Sequence, residues 1–90
     1  MNYKIFFKKS ASKELKELSR EVREKILVSL DTLRVNPFSD LIKFKKIKAK
    51  ENLYRIRVGD YRVVYSIERN DLIIVVIKIG HRKDVYRHFD

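Results

Sequence analysis

The sequence contains no cysteine, which excludes a disulfide framework, a thiolate metal site and a cysteine nucleophile. An intracellular, cytoplasmic location is therefore the simplest expectation. The first nine residues lack the apolar stretch and the small-residue cleavage site of a secretory signal peptide. No apolar run approaches the roughly 18 residues that a membrane-spanning helix needs, and no membrane insertion is predicted.

Several catalytic and cofactor motifs are also missing. The chain has no phosphate-binding Walker loop, no dinucleotide fingerprint and no G-x-S-x-G nucleophile motif. His81 and His88, the only histidines, are seven residues apart and do not form a recognisable metal pair. The acidic residues of the predicted turns do not form the paired carboxylates of a magnesium site. No cofactor and no metal are predicted, and a metal-dependent nuclease is disfavoured.

Positive charge is what the chain has in excess. Its 90 residues, enough for one domain over 1–90, carry 22 Lys and Arg against 12 Asp and Glu, a net charge of +10. Residues 41–90 hold thirteen of the basic groups and six of the acidic ones. An acidic partner is therefore predicted. Charge alone leaves nucleic acid, an anionic membrane surface and an acidic protein segment as alternatives.

Apolar periodicity predicts an α+β fold. Residues 3–7 alternate as a strand, and apolar residues at helical spacing from Ala11 to Leu33 predict two helices with a break near Ser19. Either Ser10 or Ser12 is expected to cap the first helix, and Asn36-Pro37 to end the second. Period two then predicts three or four antiparallel strands, with the helices on one face of a twisted sheet.

The predicted hairpin around Gly59-Asp60 gathers basic side chains on one sheet face. Alternation from Leu53 to Val58 puts Arg55 and Arg57 on the face opposite Tyr54, and Arg62 follows on the next strand. Five lysines arrive from the preceding segment: Lys43, Lys45, Lys46, Lys48 and Lys50. Such clusters repel unless a polyanion neutralises them, and arginine binds phosphate through a planar fork. Phosphate binding is the functional interpretation, and a merely solvated face is the alternative.

A second group of polar residues, Gly80 to Tyr86, follows the last apolar strand. It contains His81, Arg82 and Lys83, and the ends of strands are common positions for functional side chains. Tyr86 is able to stack on a base or orient a phosphate. On spacing alone, the sequence favours packing of Tyr86 against the core.

Two segments, Leu53 to Tyr65 and Ile79 to Tyr86, resemble the RelE/ParE toxin superfamily. The resemblance extends over nearly the whole chain and implies the RelE-like fold of a strand, a helical hairpin and an antiparallel sheet. It also implies a toxin of a type II toxin-antitoxin system that cleaves messenger RNA on the ribosome and inhibits translation. A RelB-like antitoxin, the mRNA and the ribosome are the implied partners, and no membrane partner is implied.

The resemblance carries site residues over by position. Arg62, Arg82, Tyr86 and Arg57 match catalytic positions, whereas Arg55, Lys46, Lys48, His81 and Lys83 are expected to bind RNA. The implied chemistry is attack of a ribose 2′-OH on the adjacent phosphate, with cations stabilising the developing charge. Arginine is a poor general base, and Arg57 stands where many relatives have lysine. Lys48, Tyr86 and His81 are the alternatives for proton removal.

Two other functions remain open. A ParE-like toxin would have the same fold and inhibit DNA gyrase by binding it. A catalytically weak module that binds RNA or an antitoxin is the third possibility, because the expected lysine is replaced.

Overall fold

The computed structural model describes residues 2–39, 44–47 and 52–85. It contains two helices followed by a run of antiparallel strands, and the N-terminal strand joins the same sheet. The elements are β1 (Lys4–Phe7), α1 (Lys9–Glu17), α2 (Arg20–Val35), β2 (Phe44–Lys46), β3 (Leu53–Val58), β4 (Tyr61–Glu68) and β5 (Ile73–His81). The α+β fold expected from the sequence is confirmed. No helix within the described ranges is long and apolar enough to cross a membrane.

The two helices begin differently. Ser19 is the N-cap of α2, where its Oγ accepts a hydrogen bond from the Val22 N–H at 3.4 Å. The N-cap position of α1 is occupied by Lys8, which makes no side-chain cap hydrogen bond. The expectation that Ser10 or Ser12 caps α1 is therefore wrong, because the helix begins one residue before Ser10. The end of α2 at Val35, just before Asn36-Pro37, agrees with the sequence.

The sheet has the strand order β1-β5-β4-β3-β2. The strands β2 to β5 are antiparallel to their neighbours, whereas β1 pairs in parallel with β5 from Lys4↔Ile73 to Phe7↔Val76. A register shift interrupts the β4–β5 ladder, since Val64 lies opposite Lys78 but Tyr65 lies opposite Val76. The extra residue is Ile77, and it changes the faces to which the residues after it point.

One sheet face packs against both helices. Ala11 of α1 and Ile26, Leu30 and Leu33 of α2 are buried against apolar residues of β3, β4 and β5, among them Ile56, Val63, Tyr65, Ile74, Val76 and Ile79. On the other face, a small cluster of Leu53, Val64 and Val85 is buried with Ile47 and Ile77 beside it. The remainder of that second face, toward the β3–β4 turn, carries the basic side chains.

Candidate functional site

Strand pairing collects four cations around one cavity on the sheet face opposite the helices. Lys45 of β2 lies opposite Arg55 of β3, and Arg57 of β3 lies opposite Arg62 of β4. Directly paired residues project from the same face of a sheet. The cavity has a volume of about 250 Å³, and every described residue that lines it is basic: Lys45, Arg55, Arg57 and Arg62.

Arg62 is the buried member of this group, with 6% of its surface exposed. Its Nη1 donates hydrogen bonds to the carbonyl oxygens of Tyr61 at 2.8 Å and Gly59 at 3.0 Å. Gly59 has a φ of +60°, a value that glycine adopts readily, and this turn holds the two carbonyls beside the guanidinium. The Arg62 Nε is buried and has no hydrogen-bond partner among the described residues.

The charges of Lys45, Arg57 and Arg62 favour the binding of an anion in this cavity. A buried charge is costly unless it is paired, and like charges on adjacent strands repel. The ion pairs found among the described residues all lie elsewhere, on α2 and between α1 and β5, and none of them involves Lys45, Arg57 or Arg62. The unpartnered Nε–H and its cationic neighbours therefore form a site suited to a phosphate.

The segment after β5 is fixed beside the same turn. Gly80 pairs with Arg62, and the Arg82 N–H donates to the carbonyl of Asp60 at 2.7 Å. His81 is half-buried, with its ring edge-on to Tyr61 at 5.8 Å between centroids. The side chains of Arg82 and Lys83 are exposed. The backbone from Gly80 to Arg82 is thus held at the β3–β4 turn, although neither Arg82 nor Lys83 lines the cavity itself.

His81 has one ring nitrogen occupied. Its Nδ1 accepts a hydrogen bond from the Lys83 N–H at 3.3 Å. In a neutral imidazole that accepts at Nδ1, the proton is on Nε2. His81 pairs with Tyr61 on the helix side of the sheet and lines an open pocket there with Glu14, so it does not line the basic cavity on the other face.

The structure separates residues that the sequence had grouped. Lys46 lies opposite Tyr54, a residue of the helix-side core, and it does not line the cavity. Lys45, which the sequence grouped with the lysines near this site but which was not predicted to bind RNA, does line it. Lys48 and Tyr86 lie outside the described residues. Alternation within β2 separates Lys45 from Lys46, but only the β2–β3 register shows which of them accompanies Arg55.

Within residues 2–39, 44–47 and 52–85, no group of three or more His, Asp or Glu side chains is arranged to hold a metal ion.

Comparisons with known proteins identify the family. Residues 5–86 match the family model of the ParE toxin of type II toxin-antitoxin system, parDE. Toxin RelE3 of Methanocaldococcus jannaschii is 39% identical over 88 residues, which cover 96% of this chain and 98% of that protein.

Solved structures give the same result. A chain of the archaeal RelE-RelB complex from Pyrococcus horikoshii OT3 matches with a TM-score of 0.80 and 30% identity, covering 94% of this chain and 100% of that one. The isolated E. coli RelE toxin matches with a TM-score of 0.76 and 26% identity, covering 88% and 83%. The chain therefore belongs to the RelE/ParE toxin superfamily.

Proposed function

We propose that residues 1–90 act as a single toxin domain of a type II toxin-antitoxin system, and that this domain cleaves messenger RNA on the ribosome. Its place of action would be the cytoplasm, where translation takes place. The observation that carries the proposal is the buried Arg62, whose unpartnered Nε belongs to a cavity lined by four cations. Such a cavity fits the phosphate at which an RNA chain is cut.

The proposed reaction needs no bound metal. The ribose 2′-oxygen attacks the adjacent phosphorus, and the bond from phosphorus to the 5′-oxygen breaks, leaving a cyclic phosphate and a free 5′-hydroxyl. Arg62 and Arg57 stabilise the negative charge that develops on the phosphate oxygens. Arg82, which leaves β5 beside the β3–β4 turn, supplies a further cation from the rim, and Lys83 binds the flanking backbone. As the resemblance implies, Tyr86 is proposed as a catalytic residue and Lys48 as an RNA-binding residue.

Two protons must move in this reaction. Arginine does not release a proton at accessible pH, so the three arginines of the cavity cannot take the proton from the 2′-OH. Lys45 is the one described lining residue whose side chain, in its uncharged amine form, is able to do so. The departing 5′-oxygen takes its proton from solvent, because His81 lies on the helix side of the sheet and not in the cavity. We therefore assign Lys45 as proton acceptor and give His81 no part in proton transfer.

The test is expression in cells followed by mapping of transcript 5′ ends. Wild type is expected to produce cuts within translated regions, and Arg57→Ala to lose them. Arg57 is exposed, so its substitution leaves the core intact, whereas Arg62→Ala also removes two turn hydrogen bonds. Arg20→Ala, at an exposed ion pair on α2, is the control that should cut normally. Growth arrest with intact transcripts would overturn the ribonuclease proposal and leave gyrase inhibition or a binding module as the function.

Inhibition of DNA gyrase is the second candidate, because the matching family model describes ParE toxins. Against it, the similar proteins and solved structures above carry the name RelE. A supercoiling assay with purified gyrase distinguishes the two. Inhibition that survives Arg57→Ala would favour the gyrase function.

We also propose a RelB-like antitoxin as partner. The related toxin of Pyrococcus horikoshii was solved as a RelE-RelB complex. With a net charge of +10, this chain suits an acidic partner. Co-purification from the native host should yield a small acidic protein in a fixed ratio to the chain, and recovery of the chain alone would contradict this proposal.

A further inference from the structure

The start of α1 carries a second concentration of positive charge, separate from the cavity. An open groove of about 1020 Å³ runs along it, lined by Phe7, Lys8, Lys9, Ser10, Ser12, Lys13 and Lys16. All four lysines are exposed, and no carboxylate is among the described residues that line the groove. We call Lys8, Lys9, Lys13 and Lys16 the lysine face.

On the neighbouring helix, α2, the basic side chains have acceptor groups beside them. On α2, Arg20 pairs with Glu24 at 3.0 Å, Lys25 with Glu21 at 3.4 Å and Arg34 with Asp31 at 2.9 Å. The fourth cation of that helix, Arg23, donates to two backbone carbonyls. Every basic side chain of α2 is therefore engaged with an acceptor.

The lysine face lacks such compensation. None of its four members takes part in an ion pair within the described part of the chain. Glu17 follows Lys13 by four residues, a spacing that permits an ion pair, yet the two do not pair. Lys9, Lys13 and Lys16 are instead spaced to repel one another along one side of the helix.

The beginning of the helix adds to the positive potential. No acidic residue lies in the first turn of α1, and the cap position makes no side-chain hydrogen bond. The first backbone N–H groups of a helix have no partner within it, and they carry its partial positive charge. The lysine face is thus left positive by both its side chains and its backbone.

We propose that the lysine face binds the phosphate backbone of base-paired RNA. This deepens the proposed function, on which it rests, by adding a docking surface for folded RNA to the cavity that holds the strand to be cut. Lysine side chains are long and flexible, so they can reach successive phosphates of a duplex. Contacts with phosphates depend on positive charge and not on a fixed side-chain geometry. An acidic protein would bury a broader apolar surface. Among the described residues, Phe6 is the exposed large apolar side chain beside the groove, and the other three lie on α2: Leu27, Val28 and Val35.

The lysine face and the cavity lie far enough apart that one RNA must be large and folded to contact both. The groove lies beside β1 and α1, whereas the cavity lies over β2, β3 and β4 on the other sheet face. Three strand spacings separate β1 from β3, about 14 Å at roughly 4.8 Å each. A short strand seated in the cavity has no need to reach the lysine face, but a ribosome presents both a strand and surrounding duplexes.

Salt dependence of binding tests the proposal. The probe is a 20-base-pair RNA duplex, followed by fluorescence anisotropy, and every protein carries Arg82→Ala to limit cleavage. Each phosphate contact contributes about 0.9 to the slope of log affinity against log salt concentration in B-form duplex. Lys9→Ala with Lys13→Ala should therefore reduce the slope by roughly 2. The matched control, Arg20→Ala with Lys25→Ala, removes the same charge from α2 and should leave the slope unchanged.

Equal slopes for wild type and the lysine variant, or equal reductions in both double variants, would overturn the proposal. So would a lysine variant that binds the duplex normally but loses a co-expressed acidic antitoxin, because the surface would then belong to a protein partner. In cells, the lysine variant without Arg82→Ala should cut fewer transcripts than wild type. Duplex binding and cleavage are measured in separate experiments. An absence of cleavage in all proteins would therefore count against the proposed function, and the binding measurement would still test the lysine face.

Discussion

Glu14 of α1 completes the hydrogen bonding of β5 around Ile79, where the neighbouring strand has ended. Its Oε1 accepts the Ile79 N–H at 3.1 Å, and its Oε2 accepts from the Lys78 Nζ at 2.6 Å. Pairing between β1 and β5 stops at Phe7↔Val76, so a carboxylate from the helix replaces the missing strand. This contact attaches α1 to the end of β5, immediately before Gly80, His81 and Arg82.

Replacing Glu14 by alanine should lower the free energy of unfolding by about 1–3 kcal/mol, because the Ile79 N–H loses its acceptor. Glu14→Gln, which retains a carbonyl oxygen for that N–H, should lose less. The control is Glu17→Ala, at an exposed position that has no ion pair among the described residues. It is expected to change stability by less than about 0.5 kcal/mol. Urea denaturation measures all three, and equal losses for Glu14→Ala and Glu17→Ala would contradict the assigned role.

Local sequence patterns predicted most of the elements correctly. The alternation of β3 identified Arg55 and Arg57 as neighbours on the face opposite Tyr54, and the serine at position 19 marked the start of α2. These features depend on residues close in sequence, whose side-chain period or capping chemistry is readable directly.

Long-range pairing could not be predicted in the same way. The parallel ladder between β1 and β5 joins residues nearly 70 positions apart, and the extra residue at Ile77 has no local signal. Lys45 and Lys46 are chemically identical, so only the register against Arg55 and Tyr54 assigns them to different faces. The sequence could therefore predict a basic site but not which lysine completes it.

Lys45 and Lys46 form a natural matched pair for testing the site. Lys45→Ala should reduce RNA cleavage by about 10²-fold or more, the range for loss of a general base, whereas Lys46→Ala should leave the rate within a few-fold of wild type. Ribosome-dependent cleavage of a defined mRNA, measured under single-turnover conditions, gives both rates. A Lys45→Arg variant keeps the charge but not the proton acceptor, and its full activity would show that Lys45 acts only through its charge.

The two glycines should respond differently to alanine. Gly59 has a φ of +60° with no atom within 4 Å of an added Cβ, so Gly59→Ala carries only the backbone cost, about 1 kcal/mol. At Gly80 an added Cβ would lie 3.7 Å from the Val85 Cβ, an ordinary contact, and Gly80→Ala should be tolerated. Thermal denaturation would contradict this reasoning if Gly80→Ala proved the more damaging substitution.

The free energy of unfolding should fall at high pH because the buried Tyr65 hydroxyl resists ionisation in the folded state. Its side chain is fully buried, its hydroxyl has no hydrogen-bond partner among the described residues, and its ring stacks on Tyr54 at 6.0 Å. Burial, and to a lesser degree the nearby Tyr54, raises the pKa of Tyr65 well above its ordinary value of 10.0. The folded state therefore holds this proton at a pH where the unfolded chain has lost it, so the contribution to stability is complete below pH 10 and declines above it.

Replacing Tyr65 by phenylalanine removes both the unpartnered hydroxyl and this titration. At pH 8 we expect Tyr65→Phe to be at least as stable as wild type, because a buried hydroxyl without a partner costs about 1–3 kcal/mol. Above pH 10 the free energy of unfolding of the variant should rise relative to that of wild type by up to about 1.4 kcal/mol per pH unit. Urea denaturation at pH 8 and pH 11 measures the difference, with Tyr3→Phe, at a half-buried tyrosine, as control. Parallel losses in Tyr65→Phe and wild type would show that Tyr65 keeps no proton preferentially in the folded state.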